Sequence, residues 1–422
     1  MTRRLANSNF SFSTNTVQTR LDKPTVFGVS LSKEYFVATI LIEQDGQIRK
    51  TSATFFRGKT TNFYPTDRSL DTDRAVARYM THGWMPKEAF VDKATPLVAF
   101  GSCFASNISN YLHKRGYNVL TKREGRSYVT SMGDGIVNTF AILQQFKWAW
   151  LNYVPEGTFW HGYEAEEFGY DEEIRLETKA LFDEADVFVI TLGLSEIWYD
   201  EPTGEVFWRA VPQDRYDAER HKFRISTVEE NKRNLLEIHS LIRRFRPDAK
   251  IVITVSPIPL TATFRPETCI AANAVSKAVL RVAVDEVMRE VQPTDSNIYY
   301  FPSYDVVMYA FDNQWTEDRR HVYPHVLDFN MKVFETHFCQ SKMDASALEK
   351  AYKRALELDR KVARGGHEAV SHPQGLTPID AIKKTAARKL TKDERLADRV
   401  AKRVAERIAA RRRTKLAAIE NE

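Results

Sequence analysis

Hydrophobic and polar positions change their spacing abruptly within the stretch LVAFGSCFASNISNYLH. Residues 97–100, LVAF, form an unbroken apolar run, which is typical of a strand buried on both faces of a parallel sheet. Phe104, Ile108 and Leu112 then recur at helical spacing. The residues between them, 101–103, therefore have to turn the chain sharply from a strand into a helix.

The same two patterns alternate through the middle of the chain. Further apolar runs typical of strands are 186–193, 250–255 and 298–300. Helical spacing recurs in residues 136–146, 228–246 and 271–291. Parallel strands need long crossover connections, which are usually helices. The alternation therefore predicts an α/β fold with a mostly parallel, doubly wound sheet.

A different pattern precedes this region. Residues 1–24 are polar and show no period, so we expect a loosely held arm. Residues 35–44 and 47–56 are strand-like and flank Asp45-Gly46, a strong signal for a two-residue hairpin turn. Residues 58–94 then lead to the first buried strand, and we expect them to run across the surface. The N-terminal part is predicted to be a small β lead-in.

The last residues, 380–422, show a third pattern. Apolar residues recur there at every fourth position between many charges, at Leu396, Val400, Val404 and Ile408. This narrow stripe predicts a strongly charged helix. The helix either stays solvated until it docks, pairs with a partner protein, or lies on an anionic surface. A protein partner and an anionic surface are therefore the alternatives to a solvated helix in this tail.

Together the patterns divide the chain into four parts. They are an N-terminal arm and β-hairpin lead-in (1–83), an α/β domain (84–345), a helix and linker (346–379) and a basic helical tail (380–422). We expect the chemistry in the second part, because the buried strands and the sharp turn at 101–103 lie there.

Composition narrows the class of protein. The chain has 422 residues, of which 43% are hydrophobic and 12% aromatic, so it can bury a large core. The first residues lack the apolar segment of a secretory signal, and no apolar run reaches membrane-spanning length, so we expect a cytoplasmic protein. Three widely spaced cysteines, Cys103, Cys269 and Cys339, favour reduced thiols over a zinc site. The sequence contains no phosphate-loop or dinucleotide motif, and we expect no cofactor.

The net charge of +5 belongs to the tail. Residues 380–422 contain 14 Lys and Arg against 7 Asp and Glu, a local charge of +7. Residues 1–379 then carry −2. A basic face that binds nucleic acid is therefore not expected in the α/β domain.

The turn at 101–103 places a hydroxyl and a thiol at the start of a helix. The free N–H groups of a helix N-terminus favour an anion, lower the pKa of a cysteine and can supply one arm of an oxyanion hole. Ser102 and Cys103 are therefore candidate nucleophiles. The alternative is a buried cysteine that only fills a tight corner.

A second candidate group is the sequence Asp318-Arg319-Arg320-His321. A DxxH spacing puts both side chains on one side of a tight turn, so the carboxylate of Asp318 can accept a hydrogen bond from one imidazole nitrogen of His321. The other nitrogen is then free to act as a base towards a nucleophile. The alternative is an ion pair on the surface.

Residues 151–180 are rich in aromatic and acidic residues and show little period. We expect a surface Ω-loop held together by its own aromatic side chains. The alternative is an inserted loop that shapes a pocket, in which His161 would suit a sugar or an aromatic ligand. His161 is the second candidate for a base.

The residues GSCFA at 101–105 resemble the motif for which the GSCFA family is named, and that family is similar to the SGNH or GDSL hydrolases. The resemblance implies an SGNH-like three-layer fold with a nucleophile just after the first strand. Aligned with the hydrophobic-GDS block of those hydrolases, Cys103 takes the place of the nucleophile and Ser102 that of the aspartate. The choice of nucleophile stays open between the two residues.

Further blocks are similar to the same family in the same order. In TLGLSE, Gly193 matches the glycine of the SGNH block GxND, Ser195 stands where the oxyanion-binding asparagine would be, and Glu196 stands where the aspartate would be. Gly135 and Asn138 match an oxyanion glycine and an Asn-containing helix start by position. The segments SPIPL (256–260) and NAVSKAVLR (273–281) also resemble the family, as does DRRHVYP.

The resemblance implies an SGNH-like esterase or O-acyltransferase, with O-acyl groups of a carbohydrate as the first substrate to test. Cys103 or Ser102 would attack the acyl carbonyl, His321 would move the proton, and Asp318 would orient His321. The Cys103 N–H, Gly135 and Ser195 would bind the oxyanion. The alternative is a catalytically inactive SGNH scaffold that recruits a partner through its C-terminal helix, since Cys and Ser stand where those hydrolases carry Ser and Asn.

Overall fold

The computed structural model describes residues 38–44, 47–53, 55, 58 and 60–364. The predicted arm at 1–24, the turn Asp45-Gly46 and the predicted tail at 380–422 lie outside the described residues. The chain divides into two units between Phe63 and Tyr64.

The first unit contains the predicted hairpin. Strands β1 (Ala38–Gln44) and β2 (Gln47–Ala53) pair antiparallel, with Gln44 opposite Gln47 and Ala38 opposite Ala53. The strand-like patterns on either side of Asp45-Gly46 therefore form the two strands that they predict.

The second unit contains the sheet that carries the candidate chemistry. Its strands are β3 (Leu97–Gly101), β4 (Val187–Leu192), β5 (Glu196–Asp200), β6 (His221–Ile225), β7 (Lys250–Val255) and β8 (Ile298–Tyr300). Strands β3, β4, β7 and β8 form a parallel sheet in that order. A parallel bridge between Leu97 and Val119 adds a residue pair on the outer side of β3. The winding therefore reverses at β3, and ligands of open α/β sheets bind at such a switch point.

Helices cover both faces of this sheet. They are α1 (Asp67–Leu70), α2 (Cys103–His113), α3 (Tyr128–Ser131), α4 (Thr139–Leu151), α5 (Glu172–Glu184), α6 (Val228–Phe245), α7 (Cys269–Val291), α8 (Ser303–Tyr309), α9 (Pro324–Phe338) and α10 (Ala345–Ala363). Short helical turns are Val76–Met80 and Leu120–Lys122. Phe100 and Ile190 pack on one face with residues of α4 to α7, whereas Ala99 and Val189 pack on the other with residues of α2 and α8 to α10. The predicted three-layer α/β fold class is confirmed.

Local sequence explains where these helices begin. In α6, Thr227 and Glu230 form a capping box, and Leu235, Ile238 and Ile242 face the core. Proline is the first residue of α9, where its missing N–H costs nothing. The helices that the spacing predicts at 228–246 and 271–291 are found almost at those bounds.

The connection before β3 is more buried than expected. Ala75, Val76 and Val91 are in the core, and the Val76 N–H donates to Glu349 of α10 at 3.1 Å. The contacts of this segment therefore group residues 64–83 with the α/β unit, although the patterns divide the chain between 83 and 84.

Two further features were not expected. The antiparallel pair β5–β6, which follows β4 directly, was not predicted from the sequence. The sequence HKFRI of β6 nevertheless has the alternating pattern of a half-buried strand.

The prediction of a surface Ω-loop at 151–180 is wrong. Trp160 is fully buried, and its ring stacks on Trp208 at a centroid distance of 4.8 Å. Phe159 and Trp160 of this segment belong to the core, whereas Tyr153 and Tyr163 are exposed.

None of the helices in the described part of the chain combines the length and the apolar character that crossing a membrane requires.

Candidate active site

The corner between β3 and α2 depends on a glycine. Gly101 has a φ of +129°, and a Cβ at this position would overlap the carbonyl group of Thr191 on β4. The next residue, Ser102, donates its N–H to the Thr191 oxygen at 3.0 Å. The end of β3 is therefore fixed against β4, and the chain enters α2 at Cys103.

Ser102 and Cys103 have different local roles. Ser102 is the N-cap of α2, and its hydroxyl accepts the Phe104 N–H at 3.3 Å. Only 4% of Ser102 is exposed. Cys103 is the first residue of the helix and is half-buried. The serine hydroxyl is thus engaged by the backbone, whereas the thiol is free.

Both residues line a cavity of about 510 Å³ at the switch point of the sheet. Its apolar lining residues are Val137, Leu194, Ile197, Trp198, Trp208, Ala210, Phe223, Ile258, Pro259, Leu260, Ala262 and Phe264. Its polar and charged lining residues beyond the corner are Asp134, Asn138, Tyr163, Glu196, Arg209, Ser256, Thr261, Arg320 and His321. The cavity is a mainly apolar pocket with a few charged groups, the usual character of a small-molecule site.

Asp318 holds His321 at one side of this cavity. The carboxylate bonds to Nδ1 of His321 and accepts the backbone N–H groups of Arg320 and His321, both at 2.9 Å. Burial pushes the pKa of Asp318 upwards, but these backbone donors and the imidazole hold the pKa well below its ordinary value. Asp318 is therefore an ionised carboxylate. Its bond to Nδ1 fixes the orientation of the His321 ring, and Nδ1 carries the proton of this hydrogen bond.

Cys103 and His321 line the same cavity, but no hydrogen bond joins them among the described residues. Catalytic hydrogen bonds are often long before a substrate is bound. A proton transfer from the thiol to the imidazole would require the two groups to come within hydrogen-bonding distance.

The expected lowering of the Cys103 pKa is wrong. Burial, followed by the charge of Asp134, raises the pKa of Cys103 to about 11, although Lys277 and Arg320 act in the opposite direction. Desolvation of a thiolate therefore outweighs the helix N-terminus here. Cys103 is a thiol at neutral pH and needs a base before it can attack.

Lys277 lies on α7 behind the corner, within the segment NAVSKAVLR that resembles the family, but no role was predicted for it from the sequence. Only 1% of Lys277 is exposed, and its Nζ donates to the Gly193 oxygen at 2.6 Å. Burial lowers its pKa to about 7, whereas the nearby Cys103 raises it. No carboxylate among the described residues pairs with this amine. A lysine between the buried Ser276 and Leu280, on the apolar face of a predicted helix, was the available signal.

Gly193 itself is required by close packing. A Cβ at this position would lie 2.9 Å from the Val137 Cβ and 3.4 Å from the Ser102 Cβ. Its N–H donates to the Val137 oxygen at 2.8 Å. The glycine lets the β4 end approach the corner, and its carbonyl group holds Lys277.

The expected oxyanion donors are engaged in other hydrogen bonds, although Gly135 lies at the corner and forms a bridge with Ser102. The Gly135 N–H donates to the Met132 oxygen at 2.8 Å. Ser195 is fully buried outside the cavity lining, and its hydroxyl donates to Ser276 at 3.3 Å. Both donors are therefore engaged elsewhere. The Gly135 N–H belongs to a local turn, and the Ser195 hydroxyl contacts Ser276 of α7. The Cys103 N–H bonds to no carbonyl group of the described residues and stays available.

Asn138 lines the cavity but its side chain is also engaged. Its oxygen accepts the Ala141 N–H at 2.8 Å as the N-cap of α4. Its amide group donates to the carbonyl oxygens of Phe207 and Trp208 at 3.2 and 3.3 Å. Asn138 therefore ties the start of α4 to the loop that carries Trp208.

The family can be decided once this geometry is known. The model of the GSCFA family matches residues 96–334, which is over half of the chain. The chain belongs to the GSCFA family. No curated protein matches it. The matched residues begin just before β3 and end within α9, so they include the corner, the cavity lining and the Asp318–His321 pair. Membership in the GSCFA family indicates a hydrolase-like fold.

Two other predicted residues of the GSCFA site lie in different surroundings. Glu196 lines the cavity, accepts the Thr263 hydroxyl at 2.9 Å, and has a pKa that burial raises. His161 is buried and lies outside the cavity lining, where it forms a bridge with Glu167. His161 is therefore not brought to the candidate site, because the aromatic core around Trp160 fixes its segment elsewhere.

The described part of this GSCFA chain contains no group of three or more His, Cys, Asp or Glu side chains that could hold a metal ion.

Proposed function

We propose that this GSCFA protein is an esterase or O-acyltransferase in which Cys103 is the nucleophile. What supports the proposal is one observation: Cys103 and the imidazole fixed by Asp318 line the same cavity at the switch point of the sheet. A nucleophile, a base and a residue that orients the base form the arrangement used for acyl transfer on several unrelated folds.

The first half of the reaction forms a thioester. As the Cys103 sulfur attacks the acyl carbonyl carbon, its proton passes to Nε2 of His321 and the carbonyl electrons move to oxygen. The Cys103 N–H donates to this oxyanion. The intermediate then collapses, the ester C–O bond breaks, and the leaving oxygen takes the proton from His321. Asp318 stabilises the imidazolium that exists between these steps.

The second half returns the free enzyme. Water in an esterase, or an acceptor hydroxyl in an acyltransferase, gives its proton to His321 while its oxygen attacks the thioester. The carbon–sulfur bond then breaks, and the Cys103 sulfur recovers the proton from His321. An O-acyl group of a carbohydrate is the substrate class that we propose to test first, on family resemblance alone.

The raised pKa of Cys103 makes the base essential. A thiol with a pKa of about 11 is almost fully protonated at neutral pH, so attack has to be coupled to proton transfer to His321. The same observation favours a second candidate function, a binding protein that keeps the scaffold without catalysis.

Mass spectrometry of the protein after incubation with a panel of small acyl esters separates the two functions. We expect an added acyl mass on the peptide that contains Cys103, and loss of this mass in Cys103→Ala. Cys269→Ala is a matched control, because Cys269 is also the first residue of a helix and lies outside the cavity lining. Acylation in Cys103→Ala that disappears in Ser102→Ala would reassign the nucleophile. No acylation with any ester would favour the binding protein.

A further inference from the structure

Two arginines of the cavity lack a counter-charge. Arg209 and Arg320 both line it, and neither forms an ion pair with a carboxylate of the described residues. Some other arginines of the same unit are paired, as in Arg220–Asp200 at 2.8 Å and Arg243–Asp295 at 2.5 Å. The Arg320 Nε is buried and has no hydrogen-bond partner among the described residues. Partly buried guanidinium groups without partners cost free energy that a bound anion would offset.

Both guanidinium groups lie near the nucleophile. Arg320 directly precedes His321 in the chain, and its charge is close enough to Cys103 to favour the thiolate. A Cβ at Gly135 would lie 3.1 Å from Nη1 of Arg209, and Gly135 forms a bridge with Ser102. The charges of Arg209 and Arg320 therefore lie at the corner of the cavity and not along the aromatic wall formed by Trp198, Phe223 and Phe264.

Arg209 is held in place by neutral and aromatic contacts. Its guanidinium lies 4.0 Å from the centre of the Tyr163 ring, and the Tyr163 hydroxyl donates to Asp134 at 3.0 Å. The cation–π contact positions Arg209, and the Tyr163 hydroxyl takes up one of its five N–H donors. It lies beside the corner as a preformed donor group.

The acidic residues of the cavity do not cancel this arrangement. Asp134 accepts the Tyr163 hydroxyl, and Glu196 accepts the Thr263 hydroxyl at 2.9 Å. Each acid is hydrogen-bonded to a hydroxyl group rather than to an arginine, although the charge of Asp134 acts on Cys103 against that of Arg320. The arginines are the groups with free, forked donors, the geometry that matches a carboxylate or a phosphate.

We propose that the ester substrate carries an anionic group, a carboxylate or a phosphate, that Arg209 and Arg320 bind beside the acyl carbonyl. The proposal rests on the proposed function, since it names the substrate class of the same site. The opposite wall is aromatic, with the rings of Trp198 and Phe264 5.0 Å apart and those of Phe223 and Phe264 5.3 Å apart. The rest of the substrate is therefore apolar where it meets this wall.

Binding of simple anions tests the subsite without any turnover. Inorganic phosphate and succinate are titrated separately into the full-length protein by calorimetry at constant ionic strength. We expect Arg209→Gln and Arg320→Gln each to weaken the preferred anion about tenfold or more. Arg289→Gln is the matched control, because its side chain is 69% exposed on α7, is paired with Asp285, and its loss changes the net charge equally. Tighter binding of phosphate or of succinate identifies which anion the site prefers.

A third variant moves a guanidinium without removing its charge. In Gly135→Ala, the new methyl group would lie 2.7 Å from Met132 Cε and 3.1 Å from Arg209 Nη1, which are the ends of flexible side chains. We expect an unchanged circular dichroism spectrum with weaker anion binding. Wild-type affinity in all three cavity variants, or an equal loss in Arg289→Gln, would overturn the proposal.

A pair of matched esters links the subsite to catalysis. The anion 4-acetoxybenzoate and the neutral 4-acetoxybenzamide differ little apart from the charge. We expect the arginine variants to raise KM for the anionic ester and to leave that for the neutral ester unchanged. If neither ester is turned over but anion binding still depends on the arginines, the subsite stands and the proposed function fails. Turnover of both esters with equal kcat/KM would overturn the subsite alone.

Discussion

At the scale of single residues, burial sets the reactivity of the thiol. Cys103 begins a helix, which favours a thiolate, yet burial raises its pKa to about 11. Position along a helix can be read from sequence, but desolvation depends on what packs around the sulfur. This is why the direction of the pKa shift was predicted wrongly.

Alkylation by iodoacetamide gives a direct measure of this shift. Only the thiolate reacts, so the rate at Cys103 should rise about tenfold for each pH unit between 7 and 10 and level off near pH 11. N-acetylcysteine is the control, since an ordinary thiol levels off about two pH units earlier. A rate at Cys103 that levels off below pH 9 would contradict the raised pKa.

Lys277 makes stability depend on pH. Burial lowers its folded-state pKa from 10.5 to about 7, so between these values the unfolded chain binds more protons and the free energy of unfolding rises with pH. From pH 7 to 9, the wild type should gain about 2 kcal/mol that Lys277→Met does not gain. Urea unfolding of both proteins at the two pH values measures the difference. Equal gains would show that Lys277 is not the source.

At the scale of secondary-structure elements, the glycine at the end of β3 can be tested by itself. Gly101→Ala should lower the free energy of unfolding by about 3 kcal/mol or more, because the φ of +129° and the Thr191 carbonyl group both oppose a side chain. Gly116→Ala is the control. Gly116 has a φ of +78° but nothing within 4 Å of the added atom, so its cost should be about 1 kcal/mol. Similar losses in urea unfolding would mean that backbone strain alone matters.

The elements differ in how well the sequence predicted them. The strands of the parallel sheet were found because runs such as 250–255 are mainly apolar, as expected of a strand buried on both faces. The β5–β6 pair was missed, because His221–Ile225 is half-buried and its alternation is short. The contact between Asp318 and His321 was predicted correctly, because the two residues are only three positions apart in the chain. Lys277, Arg209 and Arg320 meet Cys103 only through the fold, so no local pattern identifies them as neighbours.

At the scale of the whole molecule, the candidate site is confined to the matched part of the chain. The cavity lining runs from Ser102 to His321, and the family match ends at 334. Deleting residues 380–422 should therefore leave the circular dichroism spectrum, the anion affinity and any acylation of Cys103 unchanged. We propose that the tail binds a protein or an anionic surface, and this binding should be lost in the shortened chain. Failure of the shortened chain to fold would place the apolar stripe of the tail in the core.

The order of the strands in the sheet also determines when the candidate site forms during synthesis and folding. Cys103 follows the first parallel strand, β3, whereas His321 follows the last, β8, and the chain between them has to pack before the two residues can meet. During synthesis, a nascent chain that has emerged only as far as α7 carries the thiol and its lysine without the base. Contacts this distant in sequence form late in folding. The proposed reactivity towards esters should therefore be absent from any nascent chain that has not yet folded as far as His321.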